Sequence, residues 1–237
     1  MKKFFLFCLL VGTISLNSQT FKALKDKAKT IATTNPSLTN DEVVKGLKEA
    51  LTIGTNNSSS LASKINGFNK NPQIYIPWPP EAREMKAKLI QLGFSKQIQE
   101  FETSLNRAAE EAAVKAAPIF VDAVTKMTVE DGFAILNGAD TSATNYLRKS
   151  TYNSLSAQFM PVVKAAIQKV QVTSYWQPLV AAYNKIPLVK KQNPNLDQYV
   201  NNKAINGLMT LLANEEIKIR KDPAARVSDI LKKVFGK

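Results

Sequence analysis

Histidine is absent from these 237 residues, and cysteine occurs once, as Cys8. Met1-Lys2-Lys3, the apolar run Phe4 to Ile14 and the small polar residues Ser15 to Thr20 follow the charged, hydrophobic and cleavage order of a secretory leader. The apolar run is too short to cross a bilayer, which takes about 20 residues. Residues 1–19 are therefore expected to be removed on export, with cleavage between Ser18 and Thr20, which places the chain in the periplasm or cell envelope. Cys8 leaves with the leader and has no small residues before it, so it is not a lipid-attachment cysteine. Without His or Cys the processed chain has no disulfide, no thiol nucleophile, no Ser-His-Asp triad and no histidine-held zinc or haem. No metal or cofactor is expected. Any chemistry must use Asp, Glu, Lys, Tyr, Ser or Thr.

Acid is also scarce: 19 Asp and Glu stand against 32 Lys and Arg, a formal charge of +13. Such a surplus points to an anionic envelope surface or polymer as partner. Basic residues interleaved with aromatics are missing, which argues against specific nucleic-acid binding. Acids outnumber bases between Glu100 and Asp131 and the reverse holds from Lys218 to Lys237, so part of the surplus is neutralised internally. Neither composition nor pattern sets the oligomeric state.

What the chain has is helical period. Residues 20–38 form a basic linker in which Phe21, Leu24, Ala28 and Ile31 line up among lysines. Two readings fit it: a frayed terminus cut off by Pro36, or a basic helix lying on a membrane. Residues 39–237 are predicted to be one all-α domain. Thr39-x-x-Glu42 is a capping box that opens a two-segment helix, weak from Gly54 to Ser60 and ending near Gly67. Prolines 77, 79 and 80 then impose an extended strap in which Ile74, Ile76 and Trp78 cover the core. Glu81 to Leu92 is a helix closed by Gly93.

Residues 98–127 are expected to be the centre of the fold. Ile98, Phe101, Leu105, Ala108, Ala109, Ala112 and Ala116 recur at three- and four-residue spacing, and so small a face admits close neighbours. Pro118 should kink this helix. Thr128-x-x-Asp131 caps a short helix through Leu136, Asp140 a long one from Thr141 to about Gln171, and Asp197 another. A last helix opens at Asp222-Pro223 with Val227, Ile230, Leu231 and Val234 inward.

Polar residues interrupt these faces. Asn106, Arg107 and Glu110 flank the alanine stripe within i+3 and i+4 reach of one another. Thr144, Arg148 and Tyr152 lie on the flank of the long helix's stripe, Tyr146 is a candidate, with Asn106, to add a hydrogen bond to a ligand, and Glu215 and Glu216 occupy a stripe position between Leu212 and Ile219, with Arg220 one turn on. An inward glutamate needs a cation or a proton. Arg107 and Arg148 are the candidates to reach it, which would bring NRAAE and EEIKIR together. The set fits a structural lock, a small polar-ligand site, or paired carboxylates that hydrolyse an envelope polymer.

In order, NRAAE at 106–110, KMTVEDGFAILNG at 126–138, Asp140, Thr144, Tyr146 and Arg148, EEIKIR at 215–220 and KKVFG at 232–236 resemble the exported bacterial proteins grouped as domain of unknown function family 4197. The resemblance implies a single helical domain in the cell envelope and brings no activity, cofactor or catalytic residue. Gly132 and Leu147 depart from the family's usual alanine and phenylalanine. Two functions remain: a non-catalytic binding or scaffold domain, or a His- and Cys-free hydrolase.

N-terminal mass spectrometry of the protein from its host should find no Met1-Lys2-Lys3 peptide on the bulk of the material; its presence would remove both the localisation and the cysteine argument.

Overall fold

The computed structural model describes residues 38–128, 132–192 and 195–236; the expected leader and all of the basic linker but Leu38 lie outside them. The described residues form nine α-helices with no strand. No helix among them is long and apolar enough to cross a membrane.

Helix α1, Asn40–Ala62, opens with the expected capping box: Thr39 Oγ1 accepts the Glu42 N–H at 3.2 Å, and Glu42 accepts the Thr39 N–H at 3.1 Å. It runs through Gly54 to Ser60 as one helix and stops at Ala62, rather than weakening there and reaching Gly67. The reason lies in what packs on it. Gly46, Ala50, Gly54, Ser58 and Ala62, spaced by four, are all buried. A Cβ on Gly46 would stand 2.7 Å from Val234 Cγ2, and one on Gly54 2.8 Å from Leu212 Cδ1. Low propensity is outweighed by the close approach it permits.

After α1, turns lead into the strap, whose Ile74, Ile76 and Trp78 are buried as expected. A 3-10 turn, Pro80–Ala82, passes into α2, Arg83–Gln91, which ends at Gly93 in the left-handed region, φ +85°. Helix α3, Ser95–Ala113, carries the alanine face. It packs against α1 and three later helices: α6, Ser142–Lys169; α7, Val172–Asn184; and α8, Leu196–Lys221. Pro118 breaks the expected helix instead of kinking it. Lacking an N–H for the Val114 carbonyl, and with its ring against that carbonyl, it forces a turn at Val114–Lys115. Helix α4, Ala116–Thr125, starts beyond.

Helix α5 is Gly132–Leu136; the cap expected at Asp131 falls outside the described residues. Helix α6 begins at Ser142, and neither Asp140 nor Thr141 caps it with a side chain. Asn195, not Asp197, caps α8 by accepting the Gln198 N–H at 3.0 Å. Asp222-Pro223 opens only a 3-10 turn, Pro223–Ala225, leaving Val227 69% exposed. The last helix, α9, Asp229–Phe235, is capped by Ser228. Trp78, Phe101 and Trp176 pack ring on ring, with centroids 4.7 to 5.2 Å apart, and pin the strap to α3 and α7.

Replacing Gly54 by valine should cost about 1–3 kcal/mol, because the added methyls have no room against Leu212. Urea unfolding of the variant measures it; an unchanged midpoint would contradict the close packing of α1 on α8.

Candidate functional site

Four-residue spacing on α3 lines up Glu102, Asn106 and Glu110 along one face, and each holds backbone of the non-helical segment beside it. Glu102 accepts the Trp78 N–H at 3.0 Å, the Tyr75 hydroxyl at 3.2 Å and the Lys86 ammonium at 2.5 Å. Asn106 pairs with Ile76 in both directions, accepting its N–H at 2.8 Å and donating to its carbonyl at 2.9 Å. Glu110 Oε1 accepts the N–H groups of Phe68 and Asn69 at 3.1 and 3.0 Å, while Oε2 takes Arg107. Arg107 also donates to Asn66 Oδ1 at 2.9 Å, and Asn66 sits in the left-handed region at φ 70°. Prolines 77, 79 and 80 have no N–H to pair, and the donors that remain at 76 and 78 find acceptors on α3 where a sheet would have supplied a strand. Burial, and then the Glu102 carboxylate, push the Tyr75 phenol up to about 12, which keeps it a donor.

The second cluster is built round Glu216, 4% exposed. Its carboxylate accepts the N–H groups of Ala143 and Thr144 at 3.0 and 2.8 Å and the Thr144 hydroxyl at 2.8 Å. Those N–H groups belong to the first turn of α6, so Glu216 caps from another helix an end that has no cap of its own. Arg220 donates to Glu216 at 2.9 Å and, through its other two nitrogens, to the carbonyls of Ile135 and Leu136, both at 2.9 Å. One ion pair thus closes the end of α5 and the start of α6. The Arg220 guanidinium lies 5.7 Å from the Phe235 ring centroid. Arg226 in turn donates to the carbonyls of Ile219 and Arg220 at 2.9 and 2.7 Å. The words DGFAILNG, EEIKIR and KKVFG meet here.

The candidate residues therefore divide between two clusters. Asn106, Arg107 and Glu110 form one; Thr144, Glu216 and Arg220 form the other. Helices α3, α6 and α8 do pack together, but among the described residues no hydrogen bond or ion pair joins NRAAE to EEIKIR. The inward glutamate is Glu216, and its cation is Arg220 on the same helix, not Arg107 or Arg148. Arg107 goes to Glu110, and Arg148 to Asn206. Glu215 lies at the rim, bonded to Asn57 at 2.7 Å and to Lys218. Tyr146 lies apart, its hydroxyl 3.4 Å from Thr128 Oγ1. Glu102 escapes the sequence reading, although its four-residue step from Asn106 continues the row and was the available signal.

Two openings lie beside α3 and the strap that it holds. A cleft of about 660 Å³ runs beside α3, lined by Arg107, Glu110, Glu100 and Glu111 with Ile65 and Tyr175. Glu111 pairs with Lys169 at 2.6 Å. A groove of about 310 Å³ lies where the strap meets α2 and α8. Among the described residues no group of Asp and Glu is arranged to hold a metal ion. Glu102 and Glu110 each receive three donors and Glu216 four, so all three carboxylates are engaged by groups of their own fold.

These features define a single all-α domain whose strap and helix ends are tied by buried carboxylates. Residues 37–236 match the family described as protein of unknown function (DUF4197), and the chain belongs to that family. No curated protein and no solved structure matches it.

Replacing Glu216 by alanine strands Arg220 and uncaps α6, and should cost about 3–5 kcal/mol. Glu215→Ala should cost about 1 kcal/mol or less, since its ion pair is with the exposed Lys218. Denaturant unfolding of both variants compares them; equal losses would remove the distinction.

Proposed function

We propose that this chain is an exported, non-catalytic binding domain of the cell envelope whose partner is an anionic surface or polymer. The observation that carries the reading is the commitment of the inward carboxylates. Hydrolysis by paired carboxyls needs one that keeps a proton and one that stays ionised, free and facing each other across the substrate. Glu102, Glu110 and Glu216 are each engaged by backbone N–H groups and by a cation, Lys86, Arg107 and Arg220 respectively. They act on their own fold. The leader-like start supports export, and the charge of +13 supports an anionic partner.

Co-sedimentation with anionic vesicles and with an acidic polymer tests this, across salt from about 50 to 500 mM. Binding should weaken as salt rises, and the polymer should be recovered at its original length. Chain cleavage that disappears in Glu110→Gln would replace this reading with the hydrolase.

A further inference from the structure

The groove of about 310 Å³ differs from the larger cleft in one respect that bears on ligand chemistry. No carboxylate lines it. Its walls are Pro77, Pro79 and Pro80 of the strap, Arg83 and Lys86 of α2, and Tyr199 and Lys203 of α8, with Trp78 at its base. The larger cleft sets Glu100, Glu110 and Glu111 beside Lys96 and Arg107, so its lining carries charge of both signs.

The groove is also rigid. The Tyr199 hydroxyl donates to the Pro77 carbonyl at 2.9 Å and ties α8 to the strap. Trp78 is fixed at both ends, its backbone N–H on Glu102 at 3.0 Å and its indole N–H on the Ala82 carbonyl at 2.8 Å. Prolines add walls that lose no side-chain freedom on binding. Of the three cations, Lys86 is engaged by Glu102. Arg83 and Lys203 are exposed and form no ion pair among the described residues, although Glu81 and Glu84 adjoin Arg83 in the chain. Lys203 lies 5.8 Å from the centroid of the Tyr199 ring. Flat apolar faces between free cations suit a ligand that is itself flat-faced and anionic. A volume at the low end of the usual range for ligand sites, about 300–1,000 Å³, suits one or two rings of a longer chain.

We propose that this groove is the seat of an acidic sugar polymer, with a sugar ring against Pro77, Pro79 and Tyr199 and its carboxylate between Arg83 and Lys203. Arg83 supplies the planar fork that matches a carboxylate, and Lys203 a mobile point charge. The assignment rests on the anion-binding reading above and adds where, and to which chemistry, the domain binds.

Polygalacturonate is the probe. The protein is compared with Arg83→Gln/Lys203→Gln and with Lys190→Gln/Lys191→Gln, which removes the same charge from exposed loop positions. All three should melt at the same temperature, since none of the four residues is buried or ion-paired among the described residues. The groove variant should lose affinity by about tenfold or more, as expected for two charge-assisted contacts, and the loop variant by about twofold or less. Polyphosphate, equally anionic but without rings, should bind more weakly at the same salt and charge concentration. Equal losses in the two variants would overturn the groove as the seat and leave a diffuse charge effect. Equal affinity for polyphosphate would overturn the sugar assignment, and so would anionic vesicles that depend on Arg83 and Lys203 as strongly as the polymer does. Failure of the unaltered protein to bind any anionic probe would defeat the anion-binding reading itself, and the groove with it.

Discussion

Buried backbone N–H groups must find acceptors, and in this protein glutamate and asparagine side chains supply them where helix and sheet cannot. Glu216 does so for the first turn of α6 and Glu110 for the turn after α1. Asn106 and Glu102 do so for the strap. Each carboxylate brings a negative charge into low dielectric, and that charge is tolerable only beside a guanidinium or ammonium. Arg220, Arg107 and Lys86 follow from the glutamates, and Phe235 and the Ile135 and Leu136 carbonyls follow from Arg220. The Glu216–Arg220 pair places an anion at the N-terminus of α6 and a cation at the C-terminus of α5. Each end therefore receives the charge its dipole favours.

Such networks need helices that approach closely, and the small faces of α1 and α3 allow it. Gly46 and Gly54 bring α1 against α9 and α8, and Ala108, Ala109, Ala112 and Ala113 are fully buried on α3. Glycine in a helix interior costs about 0.5–1 kcal/mol relative to alanine. Here it admits Leu212 and Val234 to positions that a methyl would occupy, so packing recovers what propensity loses.

What was legible in the sequence was what is local. Thr39 and Glu42 are three residues apart and cap each other as the pattern says. Gly93 ends α2, and the alternating Ile74 and Ile76 point inward from a strap that prolines keep out of a helix. The cap of α6 was not legible, because Asp140 and Thr141 are plausible local caps and the group that replaces them lies more than seventy residues on. A glutamate in an apolar stripe announces that Glu216 is buried but not what it meets. The i+3 spacing puts Glu110 within reach of Arg107 without showing that this pair excludes a longer reach, and nothing local shows Asn206 beside Arg148. At Pro118 the missing N–H was visible, and at the exposed Val114 and Lys115 the chain turns completely instead of bending.

The acids and the bases of this chain are placed differently. A glutamate that holds three or four donors is fixed by the fold and contributes little field beyond its partners, so the acids at the core are spent inside the molecule. Among the described residues Arg107, Arg148, Arg220, Arg226, Lys48 and Lys86 donate to partners within the fold. Others stay at the surface, where Lys218, Lys221 and Lys233 pair with Glu215, Asp140 and Glu42 while Arg83 and Lys203 form no ion pair among the described residues. Salt screens all of these exposed charges, and Arg83 and Lys203 differ from the rest in standing beside the proline wall of the strap. That wall depends on Glu102, which holds both Trp78 and Lys86, so the acid that the sequence hid helps to shape the groove.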